Sequence, residues 1–215
     1  AASPDGRWLA AGTWDRPGVV RLWDMSRFEA GSRPAAEPAA FTLAGFINRV
    51  YALTFSPDGR WLAAGSADFT LRQWDLAALA KLDPAQTPQP DPKVYSSLLD
   101  DHRDMVFQAA YSPNSRWLFS ASVDGTIRQW DAQNPAALPV VFSGHTAWVR
   151  ALSLTADGRY LFSASEDGTL RRWSLSLDDL QRQACQETRR DLTPAEVARY
   201  LHGDEAEPVC ARYGE

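Results

Sequence analysis

Hydrophobic and polar residues alternate over short segments of this chain, and turn residues separate the segments. From Val149 to Leu154 the odd- and even-numbered residues fall into two sets, as in a strand whose successive side chains leave on opposite faces. Turn chemistry at Asp157-Gly158 and at Asp167-Gly168 then reverses the chain twice, the second time with a strong β-hairpin signal. The stretch from Gly144 to Trp173 is therefore predicted to be a three-stranded antiparallel meander.

This unit recurs along the chain. Segments that begin at Ser3, Ser56 and Ser112 share the order Ser-Pro, a turn, then Arg-Trp-Leu. The four third strands end at Trp23, Trp74, Trp130 and Trp173, and Asp follows the first three of these tryptophans. Repeats spaced by roughly 40 to 55 residues with a terminal Trp-Asp are typical of the blades of a propeller.

At these residues the chain resembles the WD-repeat β-propeller family. The resemblance covers about Ser3 to Trp173 and implies an all-β arc of about four blades, each a four-stranded antiparallel meander. We expect a truncated first blade, and outer strands at Phe41–Ala44, Val94–Leu99 and Leu138–Ser143. Residues 1–175 are assigned to the blades. Residues 176–215 are assigned to a short helical C-terminal tail, in which Ser176 and Thr193 have the position of helix N-caps.

The same resemblance implies a hydrogen-bonded network inside each blade, which joins a His before the innermost strand, a Ser of the second strand, an Asp of the following turn and the Trp of the third strand. Two repeats carry the full set, namely His102, Ser120, Asp124 and Trp130, and His145, Ser163, Asp167 and Trp173. In the second repeat Asp68 and Trp74 are kept, but Phe46 stands in place of the His and Ala64 in place of the Ser. The first repeat keeps Asp15 and Trp23 but has Ala11 in place of the Ser. The arginines two residues before each Trp, at 21, 72, 128 and 171, are interpreted as structural.

No residue is predicted to be catalytic, and no metal or cofactor is expected. A Ser-His-Asp set could indicate a nucleophilic triad, but here it occurs twice at nearly the same spacing and leads into a Trp, which favours a structural network. Gly-rich phosphate loops are absent from the sequence. His202, Cys185 and Cys210 do not have the paired spacing of a zinc site.

Composition narrows the possible partners and the compartment. The net charge of −5 and the sequence pI near 5.2 argue against a nucleic-acid or anionic-membrane surface. No apolar run approaches the roughly 20 residues of a membrane span, and no secretory segment opens the chain. The only cysteines, Cys185 and Cys210, lie outside the repeats, so a reducing cytoplasm is expected, although a disulfide that joins them in the tail stays open.

The resemblance also implies where a partner binds. In the family, partners often contact the residues three and five positions after the His and the residue before the turn Asp, on the face where the innermost strands begin. The first group is Arg49, Tyr51, Met105, Phe107, Trp148 and Arg150, and the second is Trp14, Ala67, Val123 and Glu166. Aromatic, Met and Arg residues are enriched at the centres of protein interfaces. Several of these residues could instead pack inward.

The sequence is thus interpreted as a non-catalytic protein-interaction or sensing module, the C-terminal part of a larger bacterial signalling or defence protein. The remaining blades would come from the same polypeptide or from another chain. By family resemblance, a caspase-like protease or a nucleotide-switch module could precede it. A propeller-class enzyme domain and a purely architectural spacer are the alternatives.

Overall fold

The computed structural model describes residues 1–27 and 40–176, and this part of the chain is mostly β-structure. Fourteen strands form four antiparallel sheets of three or four strands each. The strands are β1 (Trp8–Gly12), β2 (Val20–Asp24), β3 (Phe41–Leu43), β4 (Val50–Phe55), β5 (Trp61–Ser66), β6 (Leu71–Asp75), β7 (Ser96–Leu99), β8 (Val106–Tyr111), β9 (Trp117–Ser122), β10 (Ile127–Asp131), β11 (Val140–Phe142), β12 (Val149–Leu154), β13 (Tyr160–Ser165) and β14 (Leu170–Ser174). The all-β prediction is confirmed.

Each sheet is a meander in which sequence neighbours pair. The second sheet has the order β4-β5-β6-β7 and the third the order β8-β9-β10-β11, and the first and fourth sheets contain β1-β2-β3 and β12-β13-β14. Ala2 forms an isolated bridge with Leu9. Ala10 donates its N–H to the carbonyl of Ala1 at 2.8 Å, and the N-terminal ammonium of Ala1 donates to the carbonyl of Ala10 at 2.9 Å. The residues before β1 therefore pair with it where an innermost strand would. The helical tail predicted for residues 176–215 lies outside the described residues, apart from Ser176 itself.

Two short helices lie between β6 and β7. Helix α1 (Leu76–Leu79) is capped by Asp75, whose carboxylate accepts the N–H groups of Ala77 and Ala78. Helix α2 (Pro92–Tyr95) occupies the start of the outer strand expected at Val94–Leu99, so that prediction is wrong by two residues. The reason is local, because Asp91 caps the N–H of Lys93 and Pro92 supplies the first helical position.

The stretch from Pro84 to Pro92 is rich in proline, which fits neither a regular helix nor a central strand, so the sequence predicts an exposed loop. In the structure this insertion is attached to the first sheet. Pro84 and Pro90 are buried, and the N–H of Thr42 in β3 donates to the carbonyl of Pro88 at 2.7 Å. The insertion thus covers the outer edge of the first sheet instead of projecting as a wholly exposed loop.

The simple alternation predicted for the innermost strands is interrupted once in each of three blades. Val149 pairs with Ser165 and Ala151 with Ala164, so Arg150 is an extra residue in a β-bulge. The same shift occurs after Val50 and after Val106. Consequently Val149 and Leu152, three residues apart, are both buried, while the intervening side chains are exposed.

Blades pack on one another through three apolar clusters. Leu22 and Phe41 of the first blade pack with Leu62 and Trp74 of the second, and equivalent clusters join the second blade to the third and the third to the fourth. Gln108 adds a polar clamp, since its amide nitrogen donates to the Leu152 carbonyl at 3.2 Å and its amide oxygen accepts the Leu152 N–H at 2.5 Å. These contacts therefore fix the hairpins of adjacent blades in position relative to one another.

Candidate interaction face

The six predicted partner-binding residues lie where the innermost strands begin, beside the hairpins that join the second and third strands of each blade. We call this side of the blades the upper face. Trp148 and Arg150 are exposed, whereas Arg49, Tyr51, Met105 and Phe107 are half-buried. In the second group, Trp14 and Glu166 are exposed, Val123 is half-buried and Ala67 is buried.

An aromatic row crosses the upper face through four blades. The ring centroids of Trp14 and Tyr51 are 5.5 Å apart, those of Tyr51 and Phe107 are 5.1 Å apart, and those of Phe107 and Trp148 are 6.1 Å apart. These separations fall in the range of attractive ring contacts. Four residues from four repeats, named by position alone in the sequence, thus form one continuous surface.

The side chains of Tyr51 and Phe107 reach the row because each is the extra residue of a β-bulge. Arg150, the third bulge residue, places its guanidinium carbon 4.2 Å from the ring centre of Phe107 and 4.7 Å from that of Trp148. A bulge re-aims the side chain of the inserted residue without changing which neighbours point into the core.

A guanidinium lies at each end of the aromatic row, and the two differ in their partners. Arg150 donates to the carboxylate of Glu166 through Nε at 2.8 Å and also through Nη2. At the other end the guanidinium carbon of Arg49 lies 5.4 Å from the ring centre of Trp14. Within the described residues, the Arg49 guanidinium has no hydrogen bond and no ion pair, and its Nε is buried.

The predicted network residues of the fourth blade lie within hydrogen-bonding distance of one another. Trp173 Nε1 donates to Ser163 Oγ at 2.8 Å, Ser163 Oγ lies 2.8 Å from His145 Nε2, and His145 Nδ1 lies 2.8 Å from Asp167 Oδ2. The carboxylate also accepts the N–H of Thr146 and, through its other oxygen, the hydroxyl of Thr169. These bonds, that of Thr169 first, hold the pKa of Asp167 well below its usual range.

The third blade repeats this chain, with His102, Ser120, Asp124 and Trp130 in contacts of 2.7 to 2.9 Å. It adds Arg128, which is buried and whose Nε donates to Asp101 at 2.6 Å while Nη1 donates to Asp124 at 3.0 Å. Arg128 is the only one of the four recurring arginines in the described residues that bonds to a turn aspartate.

Burial lowers the pKa of His102, against the opposing effect of its hydrogen bond to Asp124, and the nearby Arg128 cation disfavours a second positive charge on the ring. Burial also opposes the ionisation of Asp124, but hydrogen bonds from His102, Thr126 and the Arg103 N–H outweigh it and keep the pKa of Asp124 well below its usual range. The third blade thus contains a neutral imidazole beside a carboxylate.

The second and first blades replace this network by apolar contacts or omit it. Phe46 packs edge-on against Trp74, with ring centroids 6.0 Å apart, and Asp68 accepts the N–H of Ile47 at 2.8 Å. Arg72 lies over the Phe46 ring and donates to the Gly45 carbonyl at 3.0 Å. In the first blade Ala11 and Asp15 are exposed.

The Ser-His-Asp geometry does not expose a nucleophile. Ser120 is wholly buried and its oxygen accepts the indole N–H of Trp130, so no substrate carbonyl can reach it. Among residues 1–27 and 40–176 no cluster of three His, Cys, Asp or Glu side chains could hold a metal ion. Cys185, His202 and Cys210, the alternative zinc set, lie outside the described residues.

Two features of the face were missed at the level of sequence. Phe69 follows Asp68 in the hairpin where the third and fourth repeats have Gly125 and Gly168, and it adopts the same left-handed backbone, with φ of 74°. Its side chain is 43% exposed, and Ile47 in the same hairpin region is 80% exposed. Alignment of the repeats shows the Phe in place of Gly, which is the signal that could have identified this position.

A recurring ion pair on the opposite side of the blades was also missed. Arg7 pairs with Asp24 at 2.9 Å and stacks on Trp8, and Arg60 and Arg116 repeat the arrangement with longer contacts. The Asp of each Trp-Asp pair thus binds the Arg that precedes the second strand. Asp is absent from the fourth repeat, where Ser174 takes its place.

Residues 1–24, 40–75, 93–131 and 137–174 match the WD domain, G-beta repeat, and together they make up more than half of the chain. The chain belongs to the WD40-repeat family. The matched segments coincide with the four blades, and the match supports the interpretation of the sheets as WD40 blades.

Curated relatives are similar over part of the chain. Human striatin-4 is 32% identical over 130 residues, which is 59% of this chain and 17% of striatin-4. The target of rapamycin complex subunit wat1 of Schizosaccharomyces pombe is 31% identical over 60% of this chain and 33% of its own length. The ribosome biogenesis protein WDR12 homolog of Drosophila sechellia is 29% identical over 71% of this chain and 34% of its own. The chain therefore spans about a third or less of these relatives.

No helix in the described part of this WD40 protein is long and apolar enough to cross a membrane.

Proposed function

We propose that this chain is a non-catalytic protein-interaction module that binds a protein partner on its upper face. The observation that carries the proposal is the aromatic row from Trp14 to Trp148, with Arg49 and Arg150 at its ends. Rings and guanidinium groups held on rigid strands can bind a partner with little loss of conformational entropy. WD40 domains commonly serve as scaffolds for protein interactions, and the name of wat1, a complex subunit, is consistent with that use.

The wider setting that we propose is a larger bacterial signalling or defence protein of the cytoplasm, in which this module senses a partner and other blades complete the propeller. The proposal rests on the family resemblance of the blades and on a looser resemblance of the tail sequence from Ala184 to Cys210 to the C-terminal segment of many bacterial propeller proteins with an N-terminal signalling module. The cytoplasmic setting rests on the cysteine content of the chain. No nucleic acid or membrane is proposed as the partner, because the chain is acidic overall.

Site-specific photo-crosslinking tests the face. A benzophenone side chain is placed at Ile47, which is 80% exposed on the upper face, and in a matched control at Leu138, which is 92% exposed at the outer edge of the third blade. We expect one partner to crosslink from position 47 only. The double variant Trp148→Ala, Arg150→Ala should abolish that crosslink.

Equal crosslinking from both positions, or a crosslink that survives the double variant, would contradict the proposal. In that case the architectural spacer becomes the better interpretation. Turnover of a small molecule by the same protein, unchanged in the double variant, would instead favour an enzyme domain.

A further inference from the structure

The first-to-second-blade sector of the upper face offers an accessible aromatic ring. Trp14 is 66% exposed, which is more than Trp148 at 38%, although both belong to the aromatic row. One side of Trp14 contacts Tyr51 and the Arg49 guanidinium lies over its ring. A large indole surface left in water beside a cation is typical of a site that a partner covers.

The charge of that sector is unbalanced at one residue. Arg49 and Arg150 both stack on rings of the row, but among residues 1–27 and 40–176 only Arg150 has a carboxylate partner, which is Glu166 in the hairpin of its own blade. The residue equivalent to Glu166 in the second blade is Ala67, whose N–H donates to the carbonyl of Arg49 at 2.9 Å. Arg49 is equivalent to Trp148 and not to Arg150, and the hairpin residue bonded to it, Ala67, carries no carboxylate.

The hairpin next to Arg49 presents apolar side chains at a cost in backbone energy. Phe69 holds φ at 74°, where a residue with a Cβ is disfavoured, and it leaves 43% of its surface exposed. Ile47, whose N–H is bonded to Asp68, is still more exposed. Neither side chain contributes much burial to the fold, and a partner bound on this face would cover both.

We infer that Arg49 binds the carboxylate of an Asp or Glu in a peptide segment of the partner, while an adjacent apolar side chain of that segment packs on Trp14. The inference rests on the proposed function and names the chemistry of the partner. The Arg150–Glu166 pair supplies the precedent within the molecule, since a stacked guanidinium on this face donates hydrogen bonds to a carboxylate. The partner would provide for Arg49 what Glu166 provides for Arg150.

Selection from random peptides tests the charge preference. Twelve-residue peptides displayed on phage are selected against the full 215-residue chain, and the best binder is synthesised with its acidic residue kept, replaced by Gln, or replaced by phosphoserine. Affinities are measured by fluorescence anisotropy. We expect Asp or Glu beside an apolar residue to be enriched, and the Gln peptide to bind about tenfold more weakly.

Protein variants assign that preference to one side chain. Arg49→Gln should bind the acidic and Gln peptides equally, and Arg49→Lys should restore part of the difference. Arg60→Gln, a matched control on the opposite side of the same blade, should leave the difference unchanged. Trp14→Ala should weaken binding of both peptides. The melting temperature of each variant verifies that it is folded.

Each other outcome overturns the inference. These outcomes are a failure to select any peptide, selection without acidic residues, a preference that survives Arg49→Gln, or tighter binding of the phosphoserine peptide, which would assign the site to phosphate. If the preference for acidic peptides is absent but the partner still crosslinks from Ile47, the proposed function stands. Only the inference that Arg49 binds a carboxylate is then overturned.

Discussion

Ser120 is the position where removal of one oxygen atom should cost this fold most. Its hydroxyl is wholly buried, accepts the Trp130 indole N–H at 2.8 Å and lies 2.7 Å from His102 Nε2. Ser120→Ala leaves both nitrogens buried without this partner. An unsatisfied buried polar group costs about 1–3 kcal/mol, so two predict a loss of about 2–6 kcal/mol in the free energy of unfolding.

The second blade shows how the loss can be reduced. Phe46 and Ala64 stand there at the positions of His102 and Ser120. The double variant His102→Phe, Ser120→Ala removes the imidazole together with the hydroxyl, and we expect it to cost less than the sum of the single variants by about 1–3 kcal/mol. Ser143→Ala, at an exposed hydroxyl, is the control and should change stability by less than about 0.5 kcal/mol.

Equilibrium unfolding in guanidinium chloride, followed by tryptophan fluorescence, measures the free energies of unfolding of the parent and of the four variants. If the single losses add within about 0.5 kcal/mol, the side chains do not act as a network. If Ser120→Ala costs no more than Ser143→Ala, the buried hydroxyl contributes nothing and the structural interpretation of the Ser-His-Asp set is refuted.

Two further predictions concern single buried groups. Because burial lowers the pKa of His102 below the usual 6.5, the unfolded chain binds a proton that the folded chain does not, so the His102 contribution is complete above about pH 6.5 and declines as the pH falls below it. The urea midpoint should drop between about pH 7.5 and about pH 5.5 less steeply in His102→Gln than in the parent, and parallel curves would contradict this. Tyr111 has a buried hydroxyl without a hydrogen bond in the described structure, and Phe55 is its equivalent in the second blade, so Tyr111→Phe should raise the free energy of unfolding by about 1 kcal/mol in the same assay. A loss of stability would show that the Tyr111 hydroxyl has a hydrogen-bond partner.

The strands could be predicted because a period of two, Asp-Gly turns and a recurring Trp all agree in each repeat. The bulges could not, since the extra residue after Val50, Val106 and Val149 is visible only when strands are paired. The start of β7 was misplaced because Val and Tyr favour strands, whereas the Asp91-Pro92 pair imposes a helical turn on them.

The residues of the upper face could be named from the repeat, but their contacts could not. Whether Tyr51 and Phe107 touch depends on how far adjacent blades are rotated, which no single repeat encodes. The sequence shows that Ala67 and Glu166 occupy equivalent hairpin positions, but only the coordinates show that Glu166 reaches the Arg150 guanidinium. The partner-binding role of these residues stays a prediction.

The β-bulge allows the surface residue of a blade to vary while the buried residues keep their spacing. In three repeats the residue before the bulge is Val and is buried, while the bulge residue is Tyr, Phe or Arg. A substitution at the bulge leaves the spacing of the buried side chains unchanged, so the surface of one repeat can change without compensating changes in the core of its neighbours. Exchanging Tyr51, Phe107 and Arg150 among the blades would therefore change the side chains that the upper face presents, while the architecture stays the same.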